Sequence, residues 1–266
     1  ARLSDYEVLI CRLVDRALRP LFPETYHADT QVMISLISAD KDILPDALAG
    51  LAASAALAVS DIPFNGPISE VRVAKIDGEL IINPRMSELE RATLEFLVAG
   101  SAQDIVMVEG EANEIAETEM VEAIAFAHEA IKKQVAAQLE LARLVGSETK
   151  RTFNHEPTDD TLRAEIFSAT YDKVYAIAKS GSTKHERGEK FAEIGAEFFA
   201  KFEGEELTDE KKFLLKKYFH DVQYDAVRNL VLDEGIRLDG RTARTVRPIW
   251  SEVDYLPAAH GSAVFT

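Results

Sequence analysis

The sequence is poor in several things, and each shortage excludes something. Its 266 residues contain one cysteine, Cys11. No disulfide framework or thiolate metal site can therefore form within the chain, and a reducing compartment is expected. Positive charge is scarce: 30 Lys and Arg stand against 46 Asp and Glu, a formal net charge of -16. That balance argues against a surface that grips polyanions all over, and leaves room for a local basic site. No apolar run is long enough to span a bilayer; the longest, over residues 48–59, is interrupted by Gly50 and Ser54 and reads as a buried helix. Glycine-rich phosphate loops of the GxGxxG and GxxxxGK[ST] types are missing, so the common nucleotide-binding signatures are absent. His128-Glu129 does not begin an HExxH zinc motif, because Lys132 stands where the second histidine belongs. The first residues show no basic stretch, apolar run or small-residue cleavage site, so no secretory signal is expected. Ala1 in place of an initiator Met points to a partial or processed chain.

What is present suits a folded protein. Hydrophobic residues make up 47% and charged residues 29%, with a mean hydropathy of -0.10, which excludes a disordered tail and suffices for one large or two ordinary domains. Ser4 and Glu7 form a capping-box pattern ahead of apolar residues at Val8, Leu9, Leu13, Val14, Leu18 and Leu21, predicting a helix that Pro20 and Pro23 stop. Residues 31–38 read as an apolar strand and residues 45–59 as an Ala-rich helix. Val71, Val73 and Ile76, then Asp77-Gly78, then Leu80 to Ile82 predict a hairpin; residues 94–98 and 105–108 predict two more strands. A long helix over residues 114–145 is expected to bury Met120, Ile124, Ala127, Ile131, Val135 and Leu139 and to stop at Gly146.

A polar connector over residues 147–157 introduces a helical region. One helix is expected from about Asp159 to Ala178, turning Leu162, Ile166, Ala169, Val174 and Ile177 inward. A second runs from the capping box Thr183/Glu186 to near Gly204, and a third from near Thr208 to Gly235, making a small bundle. The last thirty or so residues turn to β-type side chains, Val246, Ile249, Trp250, Val253 and Tyr255, and read as one strand with no partner.

Most chemistry-bearing residues have a plain structural reading. Five of the six histidines (His27, His128, His155, His185 and His220) are scattered and fit structural or surface roles. Cys11 has no histidine placed to activate it and fits buried packing. The acid pairs Asp159-Asp160 and Glu205-Glu206 fit helix starts. The stripe Arg12, Arg16, Arg19 differs, because steps of four and three put three guanidinium groups on one helix face, suited to phosphate. A solvated face, or pairing with Asp5 and Asp15, is the competing reading. Arg237 and Arg241 flank an Asp239-Gly240 turn that would let both project beside the following strand, with a purely structural turn as the alternative.

Four segments together carry a specific resemblance: CRLVDRALRPLFP over residues 11–23, SDIPFNGPI over 60–68, RLDGR over 237–241 and LPAAHGSAVFT over 256–266. In content and order they resemble the bacterial polynucleotide phosphorylase family. The resemblance implies an α/β (α+β) fold: residues 1–146 as the later part of a first ribonuclease PH-like domain, 147–235 as an all-helical linker domain, and 236–266 as the truncated start of a second ribonuclease PH-like domain, represented by its first strand. It implies a parent enzyme, a polyribonucleotide nucleotidyltransferase working as a reversible, phosphate-dependent 3′-to-5′ exoribonuclease in mRNA degradation and RNA processing.

By position, the resemblance makes Arg16 and Arg19 RNA-binding, Arg12 their neighbour, Arg237 and Arg241 RNA- or phosphate-binding, and His260 part of the segment lining the catalytic region. Ala258 departs from the arginine that family members often carry there. No catalytic or metal-binding residue is assigned within this chain; those groups and the Mg2+ they hold are expected beyond Thr266, so the 266 residues alone are expected to be inactive. Single-stranded RNA, inorganic phosphate, a homotrimer, an RNA-degradation complex and a cytoplasmic location, with no membrane, are the implied partners and setting. The alternatives are a non-catalytic RNA-binding or assembly scaffold of the exosome-ring type, and a helical bundle that binds a regulatory ligand.

Overall fold

The computed structural model describes residues 3–202 and 207–266, which divide into a mixed α/β unit over residues 1–156 and a mainly helical unit over residues 157–266. The first unit runs α1 (Asp5–Leu18), α2 (Asp46–Ala58), β1 (Ser69–Ile76), β2 (Glu79–Ile82), a short α3 (Met86–Leu89), β3 (Ala92–Gly100), β4 (Ile105–Ala112) and α4 (Glu117–Val145). Its strands make one antiparallel sheet in the order β2-β1-β3-β4. The register sets Val71 opposite Val98 and Val73 opposite Phe96, on the face that meets Ala123, Ala127, Ile131 and Val135 of α4. The opposite face packs Leu97, Ala99 and Met107 against Leu13, Val14 and Ala17 of α1 and Ala53 and Leu57 of α2. Each fully buried Val, Leu or Ile stabilises such a layer by about 1.5–3 kcal/mol relative to exposure.

The α2 face of the sheet is not wholly apolar. Arg72 of β1 is forked between Asp46 of α2 and Glu95 of β3. Asp46 and the neighbouring Glu70 are both buried.

Beyond α4 the chain is fastened to the end of α2. Lys150 Nζ donates to the carbonyls of Leu57, Ala58 and Ser60 at 3.1, 2.9 and 2.6 Å, and Ser147 Oγ to that of Ala58 at 3.0 Å. Those of Leu57 and Ala58 are carbonyls that a helix end leaves without intrahelical donors. Partial burial holds the Lys150 amine below its ordinary pKa.

In the second unit α5 (Asp160–Lys179), α6 (Lys184–Phe199) and α7 (Asp209–Glu234) form the expected bundle around Leu162, Ile166, Val174, Phe198, Phe219 and Val222. Its helices start where the sequence says they should. Asp159 Oδ1 accepts the Leu162 amide at 2.9 Å, Thr183 and Glu186 close a capping box, and Thr208 Oγ1 accepts the Lys211 amide at 3.2 Å. Both α4 and α7 stop at a left-handed glycine, Gly146 with φ 71° and Gly235 with φ 66°, a conformation glycine adopts without strain. The expected helix end near Gly204 and the pair Glu205-Glu206 lie outside the described residues.

Four expectations are corrected. Residues 31–38 are irregular rather than a strand, with Met33 and Ile37 82% and 95% exposed. β-type side chains favour a strand only where another strand takes up the backbone groups, and none among the described residues does so here. The buried row of α4 is Ala123, Ala127, Ile131, Val135, Gln138 and Ala142, whereas Met120 and Leu139 are exposed. Small residues let this helix approach the sheet closely, so side-chain size misled the reading. Cys11 is exposed, because the buried stripe of α1 is Leu13, Val14, Ala17 and Leu18. The last strand is not alone: β5 (Ser251–Val253) pairs antiparallel with β6 (Ala263–Phe265), the small-residue turn between them closing a hairpin.

Candidate nucleic-acid interface

The arginine stripe lies on the solvent side of α1, opposite the face buried against α2 and the sheet. Arg12, Arg16 and Arg19 are all exposed, as the spacing implied. Arg19 is held by Asp15 one turn earlier, Nη2 at 2.6 Å and Nε at 3.1 Å from its carboxylate, the intrahelical pair weighed from the sequence. Arg16 pairs instead with Glu109 of β4, a partner 93 residues away that spacing along the helix could not reveal. Among the described residues Arg12 forms no ion pair. The Arg16 and Arg19 pairs are solvent-exposed on both sides, and such pairs contribute little, so a phosphate can exchange for the carboxylate at small cost.

A cavity of about 660 Å³ opens beside the stripe and is lined in part by Cys11, Asp15, Arg19, Phe22 and Tyr26. Tyr26 stacks on His155 with centroids 5.3 Å apart and meets Phe153 edge-on at 5.2 Å. His27 completes this cluster, its amide donating to His155 Nδ1 at 2.9 Å and its Nε2 lying 2.6 Å from Glu156. The grouping of Tyr26, Phe153 and His155 was not singled out from the sequence, since more than 120 residues separate Tyr26 from the other two. An aromatic ring next to a guanidinium group is the pairing that takes a base and its phosphate together.

In the second unit the Arg237 to Arg241 turn closes on itself. The Arg237 amide donates to the Arg241 carbonyl at 2.8 Å, and the Gly240 amide to the Arg237 carbonyl at 2.8 Å. Arg241 Nε lies 2.9 Å from Asp239 Oδ2 and Arg237 Nη2 donates to the Ala243 carbonyl at 3.2 Å. Rather than projecting freely, both side chains fold back on their own loop. The Arg241 guanidinium holds the Asp239 carboxyl below its ordinary range.

A shallow cavity of about 400 Å³ nevertheless gathers Arg237, Arg241, Arg244 and Arg247 with Thr245 and Phe265. Arg244 and Arg247 were passed over, although their spacing in RTARTVRP is visible in the sequence. His260 is exposed in the β5–β6 connection and does not line this cavity. Among the described residues no group of three or more His, Cys, Asp or Glu side chains is placed to hold a metal ion. No helix among them is long and apolar enough to cross a membrane.

Comparison with known families matches three domain models in succession. The 3' exoribonuclease family, domain 1, matches residues 1–63, and its domain 2 matches residues 66–130. The polyribonucleotide nucleotidyltransferase RNA binding domain matches residues 161–242. Among curated relatives, the polyribonucleotide nucleotidyltransferase of Parabacteroides distasonis is 59% identical over 265 residues, covering 100% of this chain and 36% of that protein. That of Bacteroides fragilis is 58% identical over 266 residues, covering 100% of this chain and 37% of that protein. That of Cytophaga hutchinsonii is 55% identical over 267 residues, again covering 100% of this chain and 37% of the relative. The chain thus spans a little over a third of the length of these relatives. Full-length coverage of the chain at this identity, with the domain models falling in order along it, means that the chain belongs to the polyribonucleotide nucleotidyltransferase family.

Proposed function

We propose that the chain is part of a phosphate-dependent 3′-to-5′ exoribonuclease and that its share of the work is to hold RNA. The observation that carries this reading is the exposed face of α1, where Arg12, Arg16 and Arg19 stand together in a chain of net charge -16. In the whole enzyme an oxygen of inorganic phosphate attacks the phosphorus of the last phosphodiester bond. The bond to the 3′ oxygen breaks, and a nucleoside diphosphate leaves an RNA one nucleotide shorter; the reverse step adds a nucleotide. Such chemistry rests on positioning and charge neutralisation.

On this reading Arg12, Arg16 and Arg19 bind the RNA backbone, and Arg237 and Arg241, with His260 nearby in sequence, contribute to RNA or phosphate binding. Residues 1–146 and 236–266 belong to two ribonuclease PH-like domains, with residues 147–235 as the helical linker between them. The parent acts in the cytoplasm as a homotrimer with Mg2+, alone or within an RNA-degradation complex. Among the described residues no carboxylate cluster is arranged for the metal, so its ligands are placed outside them on this reading.

Single-stranded RNA binding measured across a salt series tests the reading. Each of Arg12→Ala, Arg16→Ala and Arg19→Ala is expected to weaken binding for all sequences alike and to reduce the slope of log affinity against log salt by about 0.7. Variants that bind like the parent would make the stripe a solvated face. The 266-residue chain is expected to release no nucleoside diphosphate from RNA and phosphate, and release would overturn the assignment of the catalytic groups beyond Thr266. An uncut parent that binds RNA but never phosphorolyses it would favour the scaffold reading.

A further inference from the structure

Glu70 is an anomaly in the core of the first unit. It lies on β1 with only 1% of its surface exposed, and neither carboxylate oxygen has a hydrogen-bond partner among the described residues. Its side chain fills a notch in α2: a Cβ added at Gly50 would overlap the Glu70 carboxyl group, so the helix approaches the strand at a residue with no side chain. Asp46 from α2 is the charged group that acts on it; Arg72, two residues along its own strand, ties Asp46 to Glu95 of β3, and Tyr6 from α1 lies next to Asp46. Arg72 is the single cation of the set; its terminal nitrogens bond Glu95 and Asp46, and its buried Nε makes no hydrogen bond to Glu70. A third carboxylate would be buried without a partner, which costs far more than burying the neutral acid.

We propose that Glu70 is held as the neutral carboxylic acid and that its proton is required for α2 to seat on the sheet, so that the α1–α2 layer loosens as pH rises. Burial, then the negative charge of Asp46, pushes its pKa from 4.5 up to about 8. In the opened state the group is solvated and ionises near 4.5. Between those values the closed state holds one proton more than the open state, and stability is lost as pH rises through this window, levelling off above about 8. None of this depends on RNA binding, so the proposal stands or falls separately from the proposed function.

Amide hydrogen exchange of the whole chain, corrected for the intrinsic pH dependence of exchange, reads the linkage directly. In the parent, α2 and β1 are expected to lose protection by roughly tenfold per pH unit between about pH 5.5 and 8. In Glu70→Gln, similar in shape but without an ionisable proton, the same amides are expected to show a flat profile. Amides of α5 and α7 serve as the internal reference and are expected to be flat in both proteins. A flat parent profile in α2 and β1, or a Glu70→Gln profile that falls as the parent does, overturns the proposal. Should Glu70→Gln fail to fold, Glu70→Met takes its place under the same criteria, and the parent profile alone remains decisive if flat.

Discussion

The two units bury charge in opposite ways. In the α/β unit a fork of Asp46, Arg72 and Glu95 runs between α2 and the sheet, with Glu70 beside it. In the helical unit the core is aliphatic and aromatic, the one buried polar side chain among the described residues, Thr170, returns its hydroxyl to the Ile166 carbonyl at 2.7 Å, and ion pairs such as Lys173–Glu197 lie in water. The contrast has a geometric origin. A strand interior to the sheet offers two faces, one apolar against α4 and one free to carry polar groups under α2, whereas each bundle helix has one inward stripe and an open remainder. Buried charge therefore makes the first unit sensitive to single polar substitutions in a way the second is not.

The same chemical change in each unit breaks or sharpens this comparison. Arg72→Met leaves Asp46 buried without its cation and is expected to destabilise the α/β unit by about 3–5 kcal/mol, read as loss of protection in β1 and β3 or as an unfolding midpoint. A small effect would mean that the fork is solvated. Gly50→Ala forces a methyl group into the Glu70 carboxyl and is expected to cost about 1–3 kcal/mol, relieved when combined with Glu70→Ala. Additive costs in the double variant would show that the notch in α2 has another purpose. Lys173→Ala removes the cation of the exposed Lys173–Glu197 pair and is expected to leave the bundle's unfolding midpoint unchanged within measurement. A clear drop there would erase the distinction between the units.

The parts of the fold that were legible in the sequence are those encoded locally. Helix starts were marked by Ser4, Asp159, Thr183 and Thr208, the stops by Gly146 and Gly235, and the hairpin by Asp77-Gly78. What was not legible depends on partners distant in the chain. Residues 31–38 have strand-type side chains but, among the described residues, no neighbouring strand, and the pairing of β5 with β6 was missed because the three residues Ala263 to Phe265 are too short a run to show strand alternation. The site followed the same rule: the arginine stripe of α1 was visible from its spacing, as was the Asp15–Arg19 pair. Glu109, Tyr26 and His155 enter only through tertiary folding, and Glu70 sat unnoticed because a glutamate in an alternating strand reads as its solvent face.

The fastening of the connector to α2 bears on how this chain can be dissected. On sequence alone the stretch after Gly146 invites a cut, since it is polar and free of regular structure. Lys150 and Ser147 are nevertheless the cap of α2, and the amide of Arg151 donates to the Asp61 carbonyl at 2.8 Å. A piece ended at residue 146 would strip the Lys150 and Ser147 donors from that helix end and also lose Phe153 and His155 from beside Tyr26. A piece ended at residue 156 would keep them, which places the natural cloning boundary ten residues later than composition suggests.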